Sequence, residues 1–376
     1  MSDSPASAVS PEATTLPLVG VVGAGVMGAG IAQLALEAGH EVVLHDVDEA
    51  ALAHGRDRIA DGLARRAAKA VEDPARIDEW VDERIGRLRE TDVLEQLGDE
   101  ADVVIEAALE DLDLKRTIFG TLDATADPAA ILATNTSALS VAAIAASTTH
   151  PDRVLGLHFF NPAPVMRLVE VVPGPATDPS VVERATALVE SWGRTAVRSA
   201  DTPGFIVNRV NRPFTIEALR ILEEDAAGVE AIDAAIRDAG FPLGPFELMD
   251  LTGIDVTTAA ATAIWDGLGR PDRLKPSPIQ ADLVAAGTLG RKTGEGFYRY
   301  PDGRRGGVAS RFATMGPGIP GPAIRDRILG AIHAEAERAV GERVADSAAV
   351  DLALRLGAGH PSGPFERAVG SRAGSG

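Results

Sequence analysis

The 376-residue sequence predicts an α/β protein, in which a domain built on a parallel β-sheet precedes an all-α C-terminal domain with a partial second copy. Short apolar strands alternate with helical stretches over the first half of the chain, which is typical of a parallel sheet covered on both faces. After a Thr-Pro-Gly linker signal at 202–204, the chain becomes helix-patterned. The sequence Gly-Pro-Phe-Glu then recurs at 244–247 and 363–366, which indicates the second copy.

The sheet domain is predicted element by element from the N-terminus. Residues 1–15 are rich in Ser, Ala and Pro without periodicity, which predicts a disordered tail. Five strand candidates lie within residues 18–25, 41–48, 101–108, 130–137 and 153–160. A helix closed by Gly39 separates the first two strands, as a strand–helix–strand unit requires.

A long charged stretch separates the second strand from the third. Its helical spacing is broken at Pro74, so we predict a helical pair inserted into this connection at about 50–97. On the residues alone, a plain solvated crossover is the preferred alternative.

The second half of the chain is predicted as one full helical unit and one shorter copy. We expect the full unit at 201–300, with its first helix starting at Phe205, a Gly/Pro-rich linker at 301–322 and the copy at 323–376. The copy lacks a counterpart of the sequence "GFIVNRV" at 204–210. This suggests that the copy has a packing role and holds no second active centre.

Composition excludes several classes of function. The net charge of −19 offers no concentrated basic face, which argues against a nucleic-acid partner and against an anionic membrane surface. The chain has no cysteine, so disulfides, thiolate catalysis and zinc–sulfur sites are excluded, and we expect no metal. No apolar stretch has the length of a membrane span, and no Lys or Arg precedes Arg56, so a basic leader is not expected. We therefore expect a cytoplasmic protein.

The sequence "GAGVMG", which starts at Gly23, matches the pattern G-x-G-x-x-G between a buried strand and a helix. In this context Gly23 permits a tight turn, Gly25 lets the backbone approach a pyrophosphate, and Gly28 allows close packing of helix on strand. The helix N-terminus at Val26 and Met27 offers free N–H groups to the phosphates. The pattern predicts a dinucleotide-binding Rossmann domain, whereas a glycine-rich turn without a ligand is the alternative.

Asp46 ends the second strand, 18 residues past Gly28. Its carboxylate would accept hydrogen bonds from the ribose hydroxyls and would repel a 2′-phosphate, so NAD is favoured over NADP as the cofactor. We therefore expect an NAD-binding domain at 16–200.

Hydride transfer to NAD requires a group that manages the accompanying proton. His158 and Glu170 lie in the segment "GLHFFNPAPVMRLVEVV". If the strands that flank 161–165 pair as an antiparallel hairpin, the two residues lie symmetrically about position 164 and become cross-strand neighbours. A carboxylate beside an imidazole fixes its tautomer and stabilises the imidazolium. The alternatives are a core histidine with a satisfied hydrogen bond and a glutamate half exposed at a sheet edge.

Six sequence motifs in order carry a resemblance to a known family. They are "VVGAGVMGAGIAQLALEAGHEVVLHD", "VIEAALEDLDLKRTIFGTLD", "ILATNTSALSV", "HFFNPAPVMRLVEVV", "DTPGFIVNRV" and "GRKTGEGFYRY". Together they resemble the L-3-hydroxyacyl-CoA dehydrogenases, in particular the 3-hydroxybutyryl-CoA type, over about residues 17–300.

The resemblance implies that His158 is the general acid/base, which takes the proton of the 3-hydroxyl group, and that Glu170 is its carboxylate partner. It also implies that Ser137 and Asn208 contact the substrate at the reacting centre. The residues implied near the cofactor are Glu110, Lys115, Asn161 and Lys292. From the residues alone, Ser137 could instead cap a helix starting at Ala138, Asn208 could be an exposed helical amide, and Lys115 could be a surface lysine.

The resemblance further implies that the inserted helical pair binds CoA, which reverses the preference for a plain crossover. Lys69, with Arg65 and Arg66, could then meet the CoA phosphates. Gly62 departs from the family, because relatives carry a serine that touches CoA at this position. The helical domain of the family dimerises, so we expect a homodimer, although the partial repeat could replace the helices of the partner subunit.

The function that the resemblance implies is reversible, NAD-dependent oxidation of an (S)-3-hydroxyacyl-CoA to a 3-oxoacyl-CoA, with a short acyl chain such as 3-hydroxybutyryl. Two alternatives stay open at this point. One is a dehydrogenase of a free hydroxy acid, of the gulonate type, and the other is an NAD-binding protein without catalysis.

Overall fold

A computed structural model describes residues 16–71, 73–313 and 318–373 of the chain. The tail predicted at 1–15 lies outside the described residues. The fold class agrees with the prediction, since an eight-stranded sheet with helices on both faces precedes a helical domain.

Within the described residues, eight strands form one sheet in the order β3-β2-β1-β4-β5-β6-β7-β8. The strands are β1 Val19–Val22, β2 Val42–His45, β3 Leu88–Thr91, β4 Val103–Glu106, β5 Ile131–Thr134, β6 Val154–Phe159, β7 Leu168–Pro173 and β8 Thr195–Arg198. Strands β1 to β6 are parallel, β7 is antiparallel to β6, and β8 is parallel to β7. The direction of the sheet therefore reverses at the β6–β7 hairpin.

Seven helices of the sheet domain fall within the described residues. They are α1 Val26–Glu37, α2 Glu49–Ala70, α3 Ile77–Ile85, α4 Leu94–Glu100, α5 Leu112–Thr125, α6 Val141–Ala145 and α7 Pro179–Ser191. The first of these, α1, is almost fully buried because the sheet covers one side and α2 packs on another. A helix that is buried on nearly every side needs no polar face, and α1 accordingly consists of small and apolar residues almost throughout.

The helical pair predicted at 50–97 is α2 and α3, but the same stretch also contains the strand β3 and the start of α4. The prediction was wrong in this respect. Strand β3 lies at the sheet edge with Arg89 and Glu90 exposed, so its sequence lacks the apolar run that marked the central strands. The other edge strand, β8, was missed for the same reason, because only Val197 is buried in it.

Nine helices follow the sheet domain in the described part of the chain. They are α8 Val207–Val210, α9 Arg212–Glu223, α10 Val229–Asp238, α11 Pro245–Thr252, α12 Ile254–Gly267, α13 Pro278–Ala285, α14 Gly321–Gly341, α15 Ser347–Ala358 and α16 Pro364–Ala373. The helix predicted from Phe205 starts two residues later, because Gly204 and Phe205 both have positive φ, of 78° and 48°. Within the described residues, no helix has the length and apolar content that a membrane span requires.

The partial second copy of the helical unit is confirmed by matching hydrogen bonds. In the first unit, the carboxylate of Asp233 in α10 accepts hydrogen bonds from the N–H groups of Phe246 and Glu247 in α11, at 3.0 and 3.1 Å.

In the second unit, Asp351 in α15 accepts the same bonds from Phe365 and Glu366 in α16, at 2.9 and 3.1 Å. Each Gly-Pro-Phe-Glu sequence therefore starts a helix that is capped by an aspartate of the preceding helix. The glycine is required, because a Cβ at Gly244 or Gly363 would lie within 2.4 Å of that aspartate.

Candidate active site

The β6–β7 hairpin places His158 and Glu170 directly opposite each other. Nδ1 of His158 lies 2.6 Å from Oε2 of Glu170, and the two residues are 4% and 0% exposed. Because β8 continues the sheet beyond β7, Glu170 does not lie at a half-exposed edge. A carboxylate can only accept, so Nδ1 carries the proton and Nε2 presents its lone pair.

The second oxygen of Glu170 is held by the turn that precedes α8. Its Oε1 accepts hydrogen bonds from the N–H groups of Ile206 and Val207, at 3.0 and 2.9 Å. The left-handed conformations of Gly204 and Phe205 aim these two N–H groups at the carboxylate. The buried charge is therefore satisfied on both oxygens, as a buried carboxylate requires.

Ser137 lies on the other side of the imidazole. Its Oγ is 3.1 Å from Nε2 of His158, so a hydroxyl already occupies the position where a proton would be exchanged. Ser137 does not cap a helix, because α6 begins later and Ser140 is its N-cap. The Ser137 backbone N–H donates to Oε1 of Glu110 at 2.9 Å, which fixes the loop after β5.

A buried cluster at the ends of β4 and β5 connects this loop to the sheet. Lys115 is 1% exposed, and its Nζ lies 2.6 Å from Glu106 Oε1 and 3.5 Å from Glu110 Oε2. Glu106 also accepts a hydrogen bond from Thr134 Oγ1 at 2.7 Å. Lys115 is therefore not a surface lysine. Glu106 was not among the predicted site residues, although a carboxylate at the end of an apolar strand was a usable signal.

The glycine-rich turn has the geometry of a phosphate site. Gly23 has φ of 100°, and a Cβ there would lie 2.7 Å from the carbonyl oxygen of Ala107. A Cβ at Gly28 would lie 1.8 Å from the carbonyl oxygen of Gly23. A Cβ at Gly25 would meet no atom within 4 Å, so the outer side of the turn has room for a ligand. No side chain caps α1, which leaves the N–H groups at Val26 and Met27 available.

Asp46 stands at the end of β2, beside this turn. Its Oδ2 accepts the N–H of Ala24 at 2.8 Å, and its Oδ1 accepts that of Asp48 at 3.2 Å. The carboxylate therefore holds the glycine-rich turn in addition to the ribose contact predicted for it. Val47 and Leu109, which follow β2 and β4, are 85% and 78% exposed and offer apolar surface beside the turn. These features fit NAD.

A groove of about 610 Å³ lies between α1, α2 and the loop of the β6–β7 hairpin. Its basic lining residues are Arg58, Arg65, Arg66 and Lys69. Gly62 also lines the groove, and a Cβ there would lie 2.0 Å from Oε1 of Gln33. Gln33 thus fills the space that a side chain at position 62 would take, which explains how the glycine fits this site.

The remaining predicted residues are placed less centrally. Asn208 is half buried in α8, next to the turn that holds Glu170, and its side chain makes no hydrogen bond within the described residues. Asn161 is exposed at the start of the hairpin loop. Lys292 lies in the helical domain, with its Nζ 2.6 and 2.7 Å from the carboxylate oxygens of Asp255. The structure thus brings together Ser137, His158, Glu170, Glu110 and Lys115, but does not place Lys292 in contact with them.

Comparisons with known proteins agree with this geometry. The family model described as "3-hydroxyacyl-CoA dehydrogenase, NAD binding domain" matches residues 18–202. The model described as "3-hydroxyacyl-CoA dehydrogenase, C-terminal domain" matches residues 204–300 and again 324–369. The second match falls on the partial copy of the helical unit.

Similar proteins include the 3-hydroxyadipyl-CoA dehydrogenase of Escherichia coli (strain K12), which is 47% identical over 283 residues, or 75% of this chain and 58% of that protein. The mitochondrial hydroxyacyl-coenzyme A dehydrogenase of Rattus norvegicus is 44% identical over 75% of this chain and 90% of its own length.

Among solved structures, the 3-hydroxybutyryl-CoA dehydrogenase of Escherichia coli K12 covers 96% of this chain and 92% of its own, with a TM-score of 0.83 and 34% identity. The (S)-3-hydroxybutyryl-CoA dehydrogenase of Ralstonia eutropha covers 76% of this chain and all of its own, with a TM-score of 0.72 and 35% identity. The chain belongs to the 3-hydroxyacyl-CoA dehydrogenase family, and its first domain is the NAD-binding domain of that family.

Proposed function

We propose that the protein oxidises (S)-3-hydroxyacyl-CoA thioesters to 3-oxoacyl-CoA, reversibly and with NAD, and that His158 is the general acid/base. The observation that carries this proposal is the pairing of His158 Nδ1 with Glu170 at 2.6 Å, which leaves Nε2 as a base beside Ser137. NAD, when bound, accepts the hydride that leaves C3 of the substrate.

The side chains then have distinct tasks in this proposal. Nε2 of His158 takes the proton of the 3-hydroxyl group, and Glu170 stabilises the imidazolium that forms. Ser137 Oγ donates a hydrogen bond to the substrate oxygen, and Asn208 supplies a second polar contact. In the reverse direction, the imidazolium returns its proton to the 3-oxo group.

The thioester is favoured over a free hydroxy acid because the groove near Lys69 is lined by four basic residues in a protein of net charge −19. Arg58, Arg65 and Arg66 add to the positive charge that phosphates of CoA would meet. We propose that these residues bind the nucleotide part of CoA. For the acyl group we propose a short chain, with 3-hydroxybutyryl as the reference substrate.

The homodimer expected through the helical domain is still a prediction. In this chain, α14 of the second unit packs against α9 and α10 of the first, so part of the helical surface is already covered. Acyl-CoA remains the partner that the groove supports best.

The proposal is tested by following NADH formation from (S)-3-hydroxybutyryl-CoA and, in parallel, from free (S)-3-hydroxybutyrate. We expect turnover of the thioester and little of the free acid. Efficient turnover of the acid alone would favour the free-acid dehydrogenase, and NAD binding without turnover of either would favour the non-catalytic protein.

A further inference from the structure

The second helical unit forms an ion-pair cluster around a buried arginine beside the active-site turn. Arg209 in α8 is 0% exposed, and its Nε lies 3.0 Å from Oε1 of Glu335, which is 2% exposed. The Nη2 atom of Arg209 lies 2.7 Å from Oε2 of Glu342. Both glutamates belong to the second unit, so this arginine joins the two units.

A second ion-pair cluster joins the two units with the roles exchanged, because its arginine belongs to the second unit and its glutamates belong to the first. Nε of Arg327 in α14 lies 2.5 Å from Oε1 of Glu217, and its Nη1 lies 2.6 Å from Oε2 of Glu224. Arg327, Glu335 and Glu342 each follow their counterparts Arg209, Glu217 and Glu224 by 118 residues. The two units therefore exchange equivalent contacts, as the halves of a two-fold symmetric dimer do.

The start of α14 is also the structural counterpart of the sequence at 204–210, although the second unit was expected to lack one. Only Ile206 and Arg209 keep their residue types there, as Ile324 and Arg327. Phe205 is replaced by an alanine at the equivalent position, so the second unit keeps the interface and lacks the residues of the site.

Of the two clusters, the Arg209 cluster is the one that lies next in the chain to a residue that binds the acid/base pair. Arg209 follows Val207 by two residues, and the N–H of Val207 binds Glu170. The second unit also packs directly on this region, because a Cβ at Gly357 in α15 would lie 2.7 Å from Leu168 Cδ2 and 2.9 Å from Val207 Cγ2. The second unit thus packs on the strand that carries Glu170 and on Val207, whose N–H binds its carboxylate.

We propose that Arg209 is a positioning residue for catalysis: the second helical unit holds it through Glu335 and Glu342, and so fixes the turn whose N–H groups orient Glu170. The proposal rests on the proposed acid/base role of His158. A buried arginine that loses a carboxylate partner must shift toward other groups or water, and this shift moves the turn with it. Glu170 would then lose the two N–H groups that hold it.

The test compares Glu335→Gln with the matched control Glu217→Gln. Each substitution removes the equivalent charge from one cluster, and each glutamate has a further arginine neighbour, Arg273 and Arg220 respectively. We expect Glu335→Gln to lower kcat by on the order of 10- to 100-fold, since small displacements of a catalytic group have this effect. KM for NAD should stay unchanged, and Glu217→Gln should keep wild-type kcat.

The pH dependence of kcat separates positioning from loss of stability. In Glu335→Gln, the fall of kcat on the acid side should move to lower pH, because His158 loses part of the support of its carboxylate; Glu217→Gln should keep the wild-type profile. Equal losses of kcat in both variants, or a loss in neither, would overturn the proposal. If Glu335→Gln does not fold, Glu342→Gln and Glu224→Gln give the same comparison at half-exposed positions.

A failure of the proposed function would be recognised separately. If the wild type turns over no hydroxyacyl-CoA, the NMR titration of His158, assigned with a His158→Gln variant, still tests the positioning. It should change in Glu335→Gln and not in Glu217→Gln, and an unchanged titration in both variants would overturn the proposal.

A second inference starts from an arginine without a partner. Arg212, the first residue of α9, is half buried, and its Nε is sealed from solvent without a hydrogen bond. Within the described residues its side chain makes no hydrogen bond and no ion pair, although the chain has 55 acidic residues. Burial lowers the pKa of Arg212 to about 10. An unpaired, partly desolvated guanidinium favours an anion as its partner.

The position of Arg212 restricts which anion that is. It follows Asn208 by four residues and precedes the buried Thr215 by three, so the three polar side chains share one face of the α8–α9 helical segment. Val207, at the other end of this segment, binds Glu170. At ~1.5 Å per helical residue, Arg212 lies about 8 Å further along the axis than Val207. The phosphate sites proposed for NAD and CoA lie elsewhere, at the glycine-rich turn and the basic groove.

We infer that Arg212 binds a carboxylate at the far end of the acyl chain, so that the enzyme accepts thioesters of 3-hydroxy dicarboxylic acids. This inference deepens the proposed function and rests on it. Arg212 would give the carboxylate a charge-assisted hydrogen bond that an uncharged chain of equal length cannot make.

Two substrates with the same six-carbon chain test this inference: 3-hydroxyadipyl-CoA, which ends in a carboxylate, and 3-hydroxyhexanoyl-CoA, which does not. We expect Arg212→Met to lower kcat/KM for the first by about 10- to 100-fold, as loss of a charged hydrogen bond does, and to leave the second nearly unchanged. The control Arg220→Met, on the same helix, should change neither.

Equal effects of Arg212→Met on both substrates would overturn the inference, and so would a wild type that does not distinguish them. The proposed function would survive either result. Absence of turnover with both substrates, and with 3-hydroxybutyryl-CoA, would instead contradict the proposed function itself.

Discussion

Two histidines of this protein are equally buried, but one has a negatively charged partner and the other has a neutral amide and a positively charged arginine beside it. His158 and His360 are each 4% exposed. His158 has the carboxylate of Glu170 on Nδ1, whereas His360 has the amide oxygen of Asn211 on Nε2 at 2.8 Å and Nη2 of Arg367 near Nδ1 at 3.2 Å.

The partners decide what each ring can do. Burial, together with the nearby positive charge of Arg367, lowers the pKa of His360 to about 3, so this ring stays neutral. It packs edge-on against Phe241, its counterpart in the first helical unit, with 4.8 Å between ring centroids. His360 is a core histidine. A carboxylate partner, by contrast, allows His158 to take up a proton inside the protein.

The largest expected effect is that of removing the base. His158→Gln should lower kcat by on the order of 10²–10⁴-fold, because the 3-hydroxyl proton then has no acceptor at the reacting centre. KM should change little. The measurement is steady-state NADH formation from (S)-3-hydroxybutyryl-CoA, with His360→Phe as the control for loss of a buried histidine. Similar losses in both variants would contradict the distinction between the two rings.

A smaller effect is expected when only the partner changes. Glu170→Gln keeps the shape of the side chain and removes the charge that stabilises the imidazolium, so His158 becomes more similar to His360. We expect kcat to fall by roughly 10- to 100-fold, the range typical of groups that act through another residue. The pH profile of kcat measures this effect, and a wild-type profile in Glu170→Gln would show that the carboxylate has no catalytic part.

The smallest expected effect concerns stability at acid pH. His360 has a folded-state pKa of about 3 against 6.5 for the free side chain, so the unfolded chain binds a proton that the folded chain does not. This group therefore costs stability as pH falls below about 6.5, by up to ~1.4 kcal/mol per pH unit. Between pH 6.5 and 5, the free energy of unfolding of His360→Phe should fall by about 2 kcal/mol less than that of the wild type. Urea unfolding at the two pH values measures this difference. An equal loss in both proteins would mean that His360 is protonated when folded.

Much of the site was predictable because it is local in sequence. The spacing of Gly23, Gly25 and Gly28, and the symmetric positions of His158 and Glu170 about the hairpin, follow from short-range rules for turns and strands. The edge strands β3 and β8 were missed, since edges need few buried residues and carry no apolar run.

The contacts that were not predictable join residues far apart in the chain. Glu170 is held by N–H groups 36 and 37 residues away, and Arg209 meets a glutamate 126 residues away. Only the folded chain brings these groups together. Sequence similarity between the two helical units was visible, but the reciprocal ion pairs between them required the structure.

The central claim is that His158 transfers the proton and is not a structural histidine. A single-turnover experiment with His158→Gln, mixed with saturating NAD and (S)-3-hydroxybutyryl-CoA, tests it most directly. We predict that the variant unfolds at the wild-type temperature and binds NADH with wild-type affinity, while hydride transfer slows by on the order of 10²–10⁴-fold. Hydride transfer at the wild-type rate, or a loss of folding that accounts for the lost activity, would contradict the claim.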